Sequence, residues 1–88
     1  MKRWVKDPDA KLDYSIDWED WLGSDTISTS TWTVPAGITK ASDSNTTTTT
    51  TIWLSGGTAN SLYTLTNHIV TAAGRIEERS IEIYVEQR

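Results

Sequence analysis

The chain contains no cysteine and no phenylalanine, a single histidine and two prolines among its 88 residues. The missing cysteine excludes disulfides, thiolate zinc sites and a cysteine nucleophile together. One histidine, His68, falls short of the several nitrogen or sulfur ligands that a zinc site requires. No apolar run approaches the roughly 20 residues of a membrane helix, and no apolar signal-peptide core follows Met1-Lys2-Arg3. The expectation is therefore a chain without cofactor or metal that reaches any particle by assembly rather than by membrane export. Basic residues are also scarce: eight against 12 acids, a net charge of −4. Such a chain is repelled by phosphate backbones, which argues against generic nucleic-acid binding.

What is present is tryptophan and threonine. There are five tryptophans, and positions 46–51 are an unbroken threonine run. Both residue types suit a pleated, half-buried surface. The acids Asp7, Asp9, Asp13, Asp17, Glu19, Asp20 and Asp25 crowd the first third.

Strand signals recur along the chain. Residues 2–6 are extended and end at Asp7-Pro8-Asp9, a turn. Leu12, Tyr14, Ile16 and Trp18 alternate with Asp13, Ser15, Asp17 and Glu19, one apolar and one acidic face of a strand. Residues 18–22 can make one helical turn. Residues 26–34 form the next strand, with Trp32 and Val34 on one face, and Pro35-Ala36-Gly37 turns the chain. A short strand over residues 38–42 precedes a turn at Asp43-Ser44-Asn45. The threonine run leads into Ile52-Trp53-Leu54 as a strand, because threonine is β-branched. Residues 62–71 place Tyr63, Leu65 and Ile69 on one face with Asn67 between them. Ala72-Ala73-Gly74-Arg75 is a hairpin loop, and a last strand follows with Ile81, Ile83 and Val85 inward. The pattern predicts one all-β domain over residues 1–88, an antiparallel sandwich of six to seven strands.

The stretch Gly57-Thr58-Ala59-Asn60-Ser61-Leu62-Tyr63 resembles the corner of an immunoglobulin-like domain. The resemblance implies that Tyr63 opens the penultimate strand and that its hydroxyl bonds to the corner backbone. The stretches Asp13-Tyr14-Ser15-Ile16-Asp17-Trp18, Ser30-Thr31-Trp32-Thr33-Val34 and Trp53-Leu54-Ser55-Gly56-Gly57-Thr58 resemble small proteins from the structural gene modules of tailed bacteriophages. So does Ala72-Ala73-Gly74-Arg75 with Glu78-Arg79-Ser80. That likeness implies a virion component, assembled in the bacterial cytoplasm.

Catalytic and metal chemistry is weakly supported. The acidic stretch lacks the spacing of a calcium loop. Asp17, Glu19 and Asp20 supply carboxylates, but no loop insertion supplies the cleft a glycosidase needs. His68 has no readable Ser or Asp partner. The expectation is a non-enzyme. Five indoles exceed what one small core needs, so Trp18 and Trp32 are assigned to the core and Trp4, Trp21 and Trp53 to interfaces. Thr48 and Thr50, in an uncharged strand read as an edge, are added as interface candidates. The charged ends, Lys2-Arg3 and Arg88, could pair with acidic neighbours. The reading is a capsid-associated decoration protein contacting major capsid protein, with further copies of itself as a second partner. Alternatives are a neck or tail component, or a carbohydrate-binding adhesion module with Trp21 or Trp53 as the stacking platform.

Overall fold

A computed structural model describes residues 2–87, with Lys2 described by its backbone alone. Seven strands and one helical turn follow in order: β1 (Lys2–Lys6), β2 (Leu12–Asp17), α1 (Glu19–Leu22), β3 (Ile27–Thr33), β4 (Ile38–Asn45), β5 (Thr49–Gly56), β6 (Ser61–Thr71) and β7 (Ile76–Val85). They build two sheets, β1-β7-β6-β3 and β2-β5-β4. This is an immunoglobulin-like sandwich: second, fifth and fourth strands in one layer, and seventh, sixth and third in the other. All pairings are antiparallel except β1 with β7, which run parallel, a departure from the purely antiparallel expectation. β1 joins the open side of β7 and points the same way, and the intervening chain supplies the long connection that parallel neighbours need.

Strand alternation explains the core. Tyr14 and Ile16 of β2, Ile52 and Leu54 of β5, Leu65 and Ile69 of β6, and Ile81, Ile83 and Val85 of β7 are all buried between the layers. Trp32 is buried on β3, where immunoglobulin domains carry their tryptophan. Leu65, two residues after Tyr63, holds the place of their second bridging cysteine and is fully buried. In place of a disulfide, a polar network joins the layers. Asn67 Oδ1 accepts hydrogen bonds from Trp18 Nε1 at 3.1 Å and Thr50 Oγ1 at 2.7 Å. Asn67 Nδ2 donates to Ser30 Oγ and to the Thr31 carbonyl, each at 3.0 Å.

Tyr63 closes the corner between β5 and β6. The Thr58 amide donates to Tyr63 Oη at 3.0 Å. Gly37 and Gly57 both have φ +100°, and their Cβ atoms would meet Tyr63 Oη at 3.0 Å and Val85 Cγ2 at 2.7 Å. Both positions thus need glycine for backbone shape and for space. Lys6, at the end of β1, is buried. Its ammonium donates to the carbonyls of Asp7 at 2.9 Å and Gly56 at 2.6 Å, tying the first strand to this corner. Burial holds its pKa below the usual lysine value, against the opposing pull of Asp7 and Asp9.

Two strand boundaries and one strand position differ from the sequence reading. β4 runs on to Asn45, because residues 43–45 pair with residues 50–52 of β5, where a turn was expected. β5 begins at Thr49, so only the second half of the threonine run is strand. Residues 46–48 turn instead, with Thr46 Oγ1 accepting the amides of Thr48 at 3.3 Å and Thr49 at 3.0 Å. β5 is also the central strand of its sheet, which corrects the reading of it as an edge.

Candidate functional site

Strand β2 and the turn α1 supply the carboxylates of the site. On β2, Asp13, Ser15 and Asp17 are exposed while Tyr14 and Ile16 are buried, as alternation requires. Register then sets Asp13 opposite Trp53, Ser15 opposite Thr51 and Asp17 opposite Thr49. Ser15 Oγ and Thr51 Oγ1 share a hydrogen bond of 2.8 Å. From the other side β4 adds Ser42 beside Trp53 and Ser44 beside Thr51. α1 continues directly from β2 with Glu19 and Asp20, both exposed. The outer face of β2-β5-β4 is therefore an exposed indole, 37% accessible, set among hydroxyls and followed by a row of carboxylates. Lys11 lies at its rim.

The adjoining end of the sandwich is built from the β2–β3, β4–β5 and β6–β7 connections. Main-chain bonds knit them: Trp18 N–H to Thr48 O at 2.8 Å, Ile27 N–H to Thr47 O at 2.9 Å and Ala72 N–H to Thr26 O at 2.9 Å. The side chains reinforce this. Arg75 Nε donates to Asp25 Oδ2 at 3.1 Å, and Arg75 Nη2 donates to the Leu22 carbonyl at 2.9 Å. That second bond satisfies a carbonyl at the C-terminal end of α1. The same guanidinium lies 4.3 Å from the centroid of Trp21, and that of Arg79 lies 4.3 Å from Trp18. Trp18 and Trp21 meet edge to face at 5.6 Å. Two arginines of β7 and its hairpin thus clamp two tryptophans of the β2–β3 connection.

Asp25 is the anchor of that end. Its pKa falls from 3.8 to about 2, through the Thr71 hydroxyl first, then the amides of Thr26 and Ala73 and the Arg75 guanidinium, against some desolvation. A carboxylate whose folded pKa is depressed adds stability above its unfolded pKa, and that contribution disappears as pH falls through the folded value. Wild type should accordingly lose stability more steeply than Asp25→Asn between about pH 4 and pH 2. Urea midpoints of the two proteins across that window measure this. Parallel curves would show that Asp25 does not sense its partners.

The structure separates the residues that the sequence grouped as interface candidates. Trp53 presents its indole on the acidic face. Trp21 is half-buried at the loop end under Arg75. Trp4 is half-buried too, its ring 5.4 Å from Tyr14, so it closes the sandwich instead of projecting from it. Thr48 is half-buried and offers its carbonyl to Trp18. Thr50 is fully buried, which corrects its assignment as an interface residue: it sits on the inward face of β5 and bonds Asn67. Tyr63 is the buried corner residue. His68 is half-buried and lies 3.0 Å from the Glu78 carboxylate. Arg3 pairs with Glu82 of its own chain at 3.1 Å, and Arg88 lies outside the described residues. Among the described residues no three His, Cys, Asp or Glu side chains are grouped to hold a metal ion, and no helix is long and apolar enough to cross a membrane.

The sequence did not bring Arg75 and Arg79 together with Asp25 and the tryptophans, because Asp25 and Arg75 lie 50 positions apart. Asn67 carried a readable signal, a polar residue on an otherwise apolar strand face.

Comparison with known proteins bears on both fold and role. The solved solution structure of the PKD domain from KIAA 1837 protein superposes with a TM-score of 0.57 and 15% identity, covering 99% of this chain and 80% of that one. That likeness concerns the fold alone. No curated protein matches. A family model described as "Podophage GP4 fiber-tail adaptor protein gp77" matches residues 6–84.

Proposed function

Because the chain belongs to the podophage GP4 fibre-tail adaptor family gp77, and is thus a phage structural protein, we propose that it joins a tail fibre to the tail as a non-catalytic adaptor. The family favours the neck-or-tail alternative over decoration of the capsid, and tail-fibre or tail protein over major capsid protein as the partner. The observation that carries the mechanism is Trp53, an exposed indole on a rigid central strand, with Asp13 across from it and Asp17, Glu19 and Asp20 beyond. An aromatic anchor held in a sheet loses little conformational freedom when it enters a partner pocket. The carboxylates select a basic partner surface and steer its approach.

Trp53→Ala should weaken binding to the purified tail fibre or tail protein of the encoding phage about 30-fold, the value of a hot-spot tryptophan, with the melting temperature nearly unchanged. Raising the salt should weaken the wild-type complex as well. Biolayer interferometry against each partner reads both effects. Binding indifferent to Trp53 and to salt would refute this surface, and binding to neither partner would refute the adaptor role. The indole among the hydroxyls of Ser15, Thr51 and Ser42 also supports a second reading, a platform for a sugar ring. A glycan array blank for wild type would dismiss it.

A further inference from the structure

The two sheets of the sandwich end in four edge strands, β1, β3, β2 and β4. Three of them carry the usual protections against pairing with another chain. β1 bears Arg3, exposed, and Lys6. β2 bears Asp13 and Asp17, both exposed. β4 bears Lys40 and Asp43 and is interrupted by a register shift between Lys40 and Ser42.

β3 carries only a register shift, at its start. Its sequence, ISTSTWT, has no charge and no proline. Its irregularity is confined to the start, between Ile27 and Thr29, which leaves residues 29–33 as a regular strand. On the outer side Thr29, Thr31 and Thr33 are exposed. On the inner side Ser30 is held by Asn67 and Trp32 is buried, so the strand is fixed in place before anything docks on it.

We infer that β3 is a self-association edge, pairing antiparallel with β3 of a second copy about a two-fold axis near Thr31. Three features favour a second copy as the occupant. The chain carries −4, so two copies repel, and an edge without charge is where they can approach at least cost. Thr31 is the midpoint of the regular stretch, so a two-fold there sets Thr31 opposite Thr31, and Thr29 opposite Thr33 of the other copy. Threonine–threonine neighbours are favourable cross-strand pairs. An isologous contact of this kind also closes on itself, so the open edge forms a dimer and not a fibre. The two β1-β7-β6-β3 sheets become one continuous sheet, and the acidic Trp53 faces, which lie on the other layer, remain free. The inference goes beyond the adaptor reading and does not depend on the partner proposed there.

Sedimentation equilibrium of the isolated protein from about 10 μM to about 1 mM should show a monomer–dimer equilibrium. Hydrogen exchange should show the amides of residues 29–33 becoming more protected as concentration rises. Thr31→Lys places two ammonium groups side by side at the axis and should raise the dimer dissociation constant at least about tenfold. The same change at Thr64, exposed on the interior strand β6, should not. Both lysines lower the net negative charge, which by itself would favour association, so loss of the dimer with Thr31→Lys alone identifies the edge. A monomer throughout that range overturns the inference. So does a dimer that Thr31→Lys leaves intact, or one whose β3 exchange does not change with concentration.

Discussion

Replacing Trp18 with alanine is expected to lower the unfolding free energy by about 4 kcal/mol, within the range for truncating a buried aromatic residue. Trp18 is fully buried where β2 turns into α1, and its contacts run in every direction. Its amide bonds Thr48 and its carbonyl accepts the Leu22 amide at 2.9 Å. Its indole donates into the Asn67 network, carries Arg79 on one face and meets Trp21 at its edge. Alanine would leave a cavity that the two arginine clamps cannot fill, and it would deprive Asn67 of a donor. Small domains have about 5–10 kcal/mol of stability to lose. At about 4–8 °C per kcal/mol the melting temperature should fall by some 15–30 °C. Trp18→Phe keeps most of the volume but loses the N–H, and should fall between alanine and wild type. Urea denaturation of the three proteins gives the order. A loss below about 1 kcal/mol for alanine would mean that this junction tolerates collapse and is not the centre of the core.

The second large effect belongs to Asn67. Its side chain amide uses both lone pairs of the oxygen and both hydrogens of the nitrogen, all the bonds an asparagine can make. It thereby links β6 to β3 within one sheet, and to Thr50 and Trp18 across the core. Asn67→Leu keeps the size but leaves Trp18 Nε1 with its longer bond to Thr50 at 3.3 Å, and the Thr50 hydroxyl without its acceptor. The expected cost is about 3 kcal/mol, because stranded buried polar groups cost about 1–3 kcal/mol each. Thr50→Val in the Asn67→Leu background removes the stranded hydroxyl but also the last acceptor of the Trp18 N–H, so these effects offset and the double variant should cost about as much as Asn67→Leu alone, well short of the sum of the two single losses. Denaturation of the four proteins of that cycle tests it. Additive losses would mean that Thr50 and Asn67 act independently and that the network is not a unit.

These two positions show how unevenly the structure was legible. The alternation of β2, β6 and β7 is explicit in the residues, since a period of two needs only neighbours in the chain. The corner at Tyr63 was readable for a similar reason: the tyrosine and the amide it accepts are five residues apart. The threonine run was not. β-branched residues favour strand anywhere, yet half the run turns and the other half crosses the middle of a sheet. Which of these happens depends on what β2 and β4 place on either side. Thr50 and Thr48 look alike in sequence, and only the pairing partners bury one and half-expose the other.

The same division holds for the acidic, tryptophan-bearing face. A cysteine-free β-sandwich with a surplus of indoles and an acidic first third follows from the residues alone, because composition and alternation are local properties. Which indoles remain available follows from how the strands and loops pack. Trp4 closes on Tyr14, Trp21 is held under Arg75, and Trp53 is left outside, opposite Asp13. The reason is geometric: a side chain's parity fixes the face of its own strand, but whether that face is covered depends on strands and loops far away in the chain.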